Sequence, residues 1–581
     1  MSADFIPAPA RRSRLQAWNR LAIAAVPSHF VIALPLAMVV LAAAATSQTR
    51  PAQNGADVGK AKSGSEACAS CHAEIYNSYQ KTVMARASGR AEEGLMTGEF
   101  RHKPSGVDYR VYQQDGRVWM SYERSGGRAL RGQNELQYFI GSGVKGRTYL
   151  FPVDGFWFEA PINWYSQEHR WNMTPAYTEA EEVPMNLPAF SSCLNCHTSG
   201  MQTPADGTEN KFAGALFLHG GITCQRCHGE EHAGENSQAS ANSIVNPASM
   251  PPERRDSICM ECHFEGTVAV EQRGKHVYDF QPGERLSDYV HYFLLESGGG
   301  QARPEALSQF EALSLSACKR ASGDKMWCGS CHDPHREPAA DEKAAYYRGK
   351  CLNCHGAAFG EKHHPDRPDC RQCHMPALPS QDVAHTEATD HRILRYPKGP
   401  QLEDLPSAPK LVAFPGSAAS AVTTRDLALA WETLAQRGVA GAGEQAKEYL
   451  DKAVKENPDD ALVLSALGYI EQERGHEREA KEFYERALKV SPLDGDAATD
   501  LGAIEARSGN LRRAVELWQG AFARAPYRSA IGMNLAMAFC AAGQRDDARR
   551  YVNRVLEFNP DLQKARQLLK HLDGDPPHCK P

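Results

Sequence analysis

The stretch 351–374, CLNCHGAAFGEKHHPDRPDCRQCH, carries one pentapeptide twice, as Cys351-x-x-Cys354-His355 and Cys370-x-x-Cys373-His374. Outward from it, the same pattern recurs as Cys68/Cys71/His72, Cys193/Cys196/His197, Cys224/Cys227/His228, Cys259/Cys262/His263 and Cys328/Cys331/His332. The seven copies use 14 of the 17 cysteines. Two thiols three residues apart lie on one turn and can form thioethers with both vinyl groups of one haem. The next residue then sets its imidazole on the iron. Structural zinc pairs Cys-x-x-Cys units but needs no histidine directly after each, a disulfide scaffold imposes none, and a thioredoxin-like motif occurs once in a βαβ context. A histidine after every pair therefore points to seven covalently attached haems c, their iron held by His72, His197, His228, His263, His332, His355 and His374.

A second axial ligand is available for every iron. The motif-bearing region holds eleven further histidines: His102, His169, His219, His232, His276, His291, His335, His363, His364, His385 and His391. His335 lies only three residues after His332, cannot turn back to the same iron, and is expected to reach a neighbour. His219 just precedes Cys224 and His232 just follows His228, each poised for an adjacent haem. His385 and His391 follow the last motif, where the chain can fold back. One of His363 and His364 is expected to ligate, and His364 is taken as that residue. The first haem has His102 nearby, with Met84 as a thioether option. Roughly 340 residues then serve seven haems, so the haems are expected to act as apolar filling in place of an ordinary core.

Three cysteines remain. Cys318 is no haem anchor, because Leu315 stands where a partner cysteine would be; with Lys319 following, this also removes an apparent Cys-x-x-Cys-Lys site. Cys540 is read as a core residue of a repeat helix, and Cys579 as a free thiol in the tail.

The first 46 residues read as a signal peptide or membrane anchor. Arg11, Arg12, Arg14 and Arg20 precede an apolar run from Leu21 to Ala45, with small residues from Ala42 to Ser47 as a cleavage region. Cleavage is the expected outcome, since Pro27, Pro35 and His29 weaken a membrane span. Residues 60–397 form the seven-haem cytochrome domain. Within it, about 95–185 reads as a small antiparallel β insertion: Val107–Gln114 and Arg117–Glu123 alternate polar and apolar around Asp115-Gly116, a hairpin signal. Residues 398–423, with Pro400, Pro406, Pro409 and Pro415, read as a linker or surface strap.

From 424 to 575 the text is periodic. Pro458, Pro492, Pro526 and Pro560 recur every 34 residues, as do Gly441, Gly475, Gly509 and Gly543, and Ala446, Ala480, Ala514 and Ala548. That period is the tetratricopeptide signature. Alanines let paired helices approach closely, glycines end the first helix of each pair, and prolines open the next repeat. About four repeats are expected, the first degenerate at Leu434, with a capping helix at Leu562–Leu572. The fold class is thus mainly α and irregular: a haem-packed domain with a small β insertion and a C-terminal α-solenoid.

The motif order resembles the tetrahaem cytochrome c-554-like superfamily of periplasmic multihaem cytochromes, especially members fused to tetratricopeptide repeats. The resemblance is carried by Gly141-Ser142-Gly143 and Gly146-Arg147-Thr148-Tyr149-Leu150, by Leu218-His219-Gly220-Gly221-Ile222 before Cys224, by Cys331-His332-Asp333-Pro334-His335, and by Cys373-His374-Met375-Pro376 with His385-Thr386 and Thr389-Asp390-His391. It implies distal-ligand roles for His219, His232, His335, His385 and His391, and it implies electron transfer.

The expected function is a periplasmic electron carrier between a membrane redox enzyme and other cytochromes or acceptors, with the repeats docking a protein partner on their concave face. An oxidoreductase acting on small nitrogen or sulfur species at one open haem, with the first haem in that role, is the alternative. An assembly scaffold is a third class. A formal net charge of -6, with no domain-wide basic excess, speaks against nucleic acid.

Overall fold

The computed structural model describes residues 64–230, 244–296, 308–363, 369–377, 389–395, 410–415 and 421–574. The export segment lies outside them, as do His232, His364 and His385. Among the described residues, no helix is long and apolar enough to cross a membrane.

The β region is larger than the sequence suggested. Strands β1 (Ser88–Arg90), β2 (Gly98–His102), β3 (Val107–Gln114), β4 (Arg117–Arg124), β5 (Leu130–Leu136), β6 (Tyr138–Ile140), β7 (Gly146–Val153), β8 (Phe156–Tyr165) and β9 (Arg170–Met173) form two antiparallel sheets, ordered β2-β3-β4-β5 and β1-β6-β7-β8-β9. Tyr109, Met120, Phe139, Tyr149, Phe158 and Trp171 are buried in their shared core. The β3–β4 hairpin turns at Asp115 (φ 51°) and Gly116 (φ 76°), two positive φ values that match the strand twist. Strand β8 escaped a period-two reading because it is buried on both faces along much of its length.

Beyond this region helices are short and most end on a motif. They are α1 (Ala73–Tyr79), α2 (Ser191–His197), α3 (Gln225–His228), α4 (Pro252–His263), α5 (Gln309–Ser314), α6 (Ala317–Ser322), α7 (Cys328–Cys331), α8 (Lys343–His355), α9 (Ala357–Lys362) and α10 (Arg371–His374). Strands β10 (Thr198–Met201) and β11 (Phe217–Gly220) pair between the second and third motifs. Part of the stretch read as a linker or surface strap is ordered on the fold. Its residues Lys410–Phe414 form β14, which adds to β12 (Val268–Glu271) and β13 (Val290–Glu296). Phe414 packs against Phe264 at 5.0 Å, so apolar residues hidden among prolines had a sheet to join.

The repeats are four helix pairs and a final helix: α11 (Thr424–Gln436), α12 (Ala442–Glu456), α13 (Ala461–Glu473), α14 (Glu477–Val490), α15 (Gly495–Arg507), α16 (Leu511–Arg524), α17 (Ser529–Ala541), α18 (Arg545–Phe558) and α19 (Gln563–Leu572). Gly475 and Gly509, at φ 80° and 85°, occupy the left-handed conformation that ends a helix without a Cβ penalty. Gly468 and Gly502 serve closeness instead, since a Cβ there would stand 2.5 Å from Tyr484 and from Trp518.

One edge of this solenoid is seated on the N-terminal region, through the turns that join successive pairs. The same repeat position, in steps of 34 residues, makes each contact. The Asp459 carbonyl accepts from Arg273 Nη2 at 3.3 Å. Leu493 lies against Gly207. Tyr527 packs its ring on Phe156 and Phe158 and donates to Glu209 at 3.3 Å. The Asp561 carboxylate takes the Arg124 guanidinium and the Val183 amide. At the other end, α11 lies on the β12–β13 face, where His291 Nδ1 and Asp426 Oδ2 are 3.0 Å apart and nearly sealed from solvent.

Candidate haem-attachment sites

Each motif is held on a single turn. His72, His228, His332 and His374 donate their amides to the carbonyls of Cys68, Cys224, Cys328 and Cys370 at 2.9–3.0 Å. The other three close helices α2, α4 and α8. None of the 14 motif cysteines is diverted into a disulfide. Motifs meet in pairs through these thiols: Cys68 lies beside Cys224, Cys196 beside Cys262, Cys259 beside Cys328, and Cys351 beside Cys370. Burial raises the Cys227 thiol to about 12, which keeps it neutral.

Cys71 and Cys354 stand apart from the other motif cysteines. These two are exposed, whereas the other twelve motif cysteines are partly covered by protein. In the first motif, Cys68 turns inward to meet Cys224, and Cys71, three residues on along the same turn, is left facing out. The polar atom beside the Cys71 thiol is the Ser70 hydroxyl of the next residue, at 3.9 Å. The protein alone therefore shields one thiol of that pair and not the other, so the assignment of Cys71 as a haem anchor rests on the spacing of its motif.

The imidazoles are set up as ligands. His228 Nδ1 lies 2.8 Å from the Val245 carbonyl, His374 Nδ1 2.6 Å from that of Leu394, and His391 Nδ1 2.8 Å from that of Thr389. A carbonyl accepts a hydrogen bond from Nδ1–H, which keeps the proton on Nδ1 and leaves Nε2 with its lone pair, the ligating tautomer. Burial lowers the His332 imidazole to about 4 and also lowers His263, so both are neutral near pH 7.

Two imidazoles on one iron hold their ring centres roughly 6 Å apart, the sum of two metal–nitrogen bonds of about 2 Å and the two ring radii. Three pairs have this spacing. His335 faces His228 at 5.8 Å, His391 faces His332 at 6.2 Å, and His363 faces His374 at 5.9 Å. The ring against His355 is Phe359, at 5.0 Å. His219 packs over Gly64, where a Cβ would meet its Nδ1 at 3.0 Å. That places it beside the turn leading into the first motif. Among the described residues no group of three or more His, Cys, Asp or Glu side chains could hold a bare metal ion; a haem asks the chain for two thiols and one or two axial ligands. The residues present fit that demand.

Other histidines are corrected. His102, expected as a ligand, is buried in the β region with Nδ1 2.8 Å from Ser105 Oγ and Nε2 2.9 Å from the Thr178 carbonyl. Both ring nitrogens are engaged, so none is left for iron. His291 faces the repeats, and His276 Nδ1 sits 3.0 Å from Glu271. His363 is the residue opposite His374, and His364 lies outside the described residues. Cys540 is buried as expected, but it is disulfide-bonded.

The surroundings of the last three motifs differ from an ordinary interior. Between Leu313 and Arg395, Pro338 is the single buried apolar side chain larger than glycine among the described residues. The β region and the repeats each carry a dense apolar core.

Comparison with known proteins places separate pieces of the chain. The family described as "Tetratricopeptide repeat" matches residues 461–492 and 505–572. The family described as "Cytochrome c554 and c-prime" matches residues 162–229, which span the second and third motifs. No curated protein matches. Among solved structures, "Crystal structure of MamA protein" is 21% identical over 26% of this chain and 80% of that chain, with a TM-score of 0.22. "MamA 41-end from Desulfovibrio magneticus RS-1" is 20% identical over 26% and 86%, with a TM-score of 0.23. "Functional Characterization of Pseudomonas Aeruginosa pilF" is 22% identical over 26% and 68%, also with a TM-score of 0.23. At these scores the likeness carries no argument. The repeats themselves are a protein-interaction architecture.

Proposed function

We propose that the chain is an exported multihaem c-type cytochrome that passes single electrons along seven covalently attached haems between redox proteins, a membrane redox enzyme and other cytochromes among them. The observation that carries this reading is the set of seven Cys-x-x-Cys-His turns, three of whose histidines are faced by a second histidine at 5.8–6.2 Å. Haem iron supplies one-electron chemistry. The chain's part is positional: two thiols fix each group, an imidazole on each side closes the axial positions, and backbone carbonyls on Nδ1 hold the ligating tautomer. Thiols of different motifs in contact bring neighbouring attachment points together. The coreless stretch around the last three motifs is accounted for if the haems are its apolar filling.

Export to the periplasm agrees with the basic and apolar N-terminus and with a disulfide at Cys540, since disulfides persist in oxidising compartments. The repeats would dock a protein partner. Their turn edge is taken by the chain's own β region, so the partner surface is the concave face.

One observation favours a second reading, an oxidoreductase acting on a small nitrogen or sulfur species at an iron with an open position: among the described residues, the ring stacked on His355 is that of Phe359, an aromatic hydrocarbon. The first haem, where that role was expected, has His219 beside its motif instead. Low-temperature EPR of the oxidised protein separates the two readings. A carrier gives low-spin haems unmoved by nitrite or hydroxylamine. A high-spin component that shifts with either ligand makes the protein an enzyme.

A further inference from the structure

Helix α9 is packed close to α8. Gly360 lies where a Cβ would stand 2.7 Å from Leu352, and Arg348 Nη2 donates to the Gly360 carbonyl at 3.0 Å. This anchors a row of rings that starts on the sixth motif. His355 stacks on Phe359 at 5.0 Å, and Phe359 on His363 at 4.8 Å. His363 caps α9, with its amide donated to the Phe359 carbonyl at 2.8 Å. The row ends 5.9 Å away on His374, the histidine of the seventh motif. His374 is pinned from behind by a reciprocal pair of bonds with Leu394: its Nδ1 meets the Leu394 carbonyl at 2.6 Å, and its own carbonyl accepts the Leu394 amide at 2.8 Å. Its Nε2 is therefore the nitrogen left for a metal.

We infer that His363 is the second axial ligand of the haem attached at Cys370 and Cys373, so that a helix growing out of the sixth motif closes the iron of the seventh. The inference rests on the haem reading above. It couples two sites, because α9 begins two residues after His355, and any movement of the sixth motif's helix carries the seventh iron's ligand with it.

The test uses the full exported chain with its haems attached. Intact mass gives the haem count, and EPR gives the spin state. His363→Ala is expected to keep seven haems and to convert one of them to high spin, with added imidazole restoring the low-spin spectrum. His364→Ala is expected to match the parent. If His364→Ala opens an iron and His363→Ala does not, the inference is overturned; it is also overturned if neither does. A parent protein lacking covalent haem overturns the underlying reading instead, which the mass alone reveals. Should His363→Ala fail to accumulate, His363→Met retains a ligand and is expected to raise the potential of one haem, since methionine–histidine ligation lies above bis-histidine. An unchanged set of potentials in that variant counts against His363.

Discussion

Arg124, on β4, and Asp561, in the turn before α19, form a buried ion pair between residues 437 positions apart. Arg124 Nη1 donates to Asp561 Oδ2 at 2.9 Å, Arg124 Nη2 donates to Asp561 Oδ1, and the Val183 amide adds a third bond at 3.1 Å. The pair closes the far end of a seam whose other contacts are Asp459, Leu493 and Tyr527, the same repeat position three times over. A tetratricopeptide array usually contacts only its own neighbours; this one is fastened along an edge to the haem-motif region.

Removing one partner of a buried pair leaves the other charge uncompensated, at a cost of about 3–5 kcal/mol. Asp561→Ala is expected to lower the apparent unfolding temperature and to raise amide hydrogen exchange in β4 and α19 together. Exchange raised in α19 alone would mean that the seam is not cooperative.

The opposite end of the seam responds to acid. Burial alone would raise the Asp426 carboxyl, but hydrogen bonds from His291 and from the Thr423 amide and hydroxyl outweigh it and hold the carboxyl below its ordinary value. A depressed carboxylate contributes stability above its unfolded pKa of about 3.9, and that stability is lost as pH falls through the folded value. Asp426→Asn is expected to be less stable than the parent at pH 6 and to converge on it as pH falls through the depressed folded value. Thermal unfolding at a series of pH values gives the comparison, and a constant gap between the two curves would exclude the mechanism.

Two glycines of one repeat should fail for different reasons. Gly502→Ala drives a methyl into Trp518, an overpacking expected to cost about 1–3 kcal/mol. Gly509→Ala meets no atom within 4 Å but must hold φ near 85°, a strain expected to cost about 1–2 kcal/mol. Trp518 fluorescence separates them: it should shift in the first variant and stay constant in the second.

His102 and His335 should also part company. His102→Ala removes bonds to Ser105 and Thr178 and is expected to lower stability by about 1–3 kcal/mol with the haem spectrum unchanged. His335→Ala is expected to open one iron, seen as a high-spin EPR signal. A high-spin signal from His102→Ala would contradict the assignment of that residue to the β region.

Covalent patterns and exact periods were readable in the chain. The motifs announce themselves by spacing alone, and the 34-residue repeat fixes helix ends to within a residue or two around Gly475 and Gly509. Spacing says nothing of which thiol the protein covers, so the outward turn of Cys71 beside the inward Cys68 was not legible. The Asp115-Gly116 hairpin was legible because its two strands alternate. Strand β8 was not, since burial on both faces erases alternation. Strand β14 was masked by the prolines on either side of it, Pro409 and Pro415. His102 could not be told from a ligand by sequence, because what disqualifies it is the Thr178 carbonyl, 76 residues away. The seam was invisible for a similar reason: Asp459, Leu493, Tyr527 and Asp561 share a repeat position but span three residue types, and only their partners on the other domain give them a common role.

The measurement that tests the central claim most directly is the intact mass of the mature, exported protein under denaturing and reducing conditions, alongside a pyridine haemochrome assay. Seven haems retained on each chain is the expected result. A chain that carries no covalent haem, its 14 motif thiols free to react with alkylating reagent, would contradict the account.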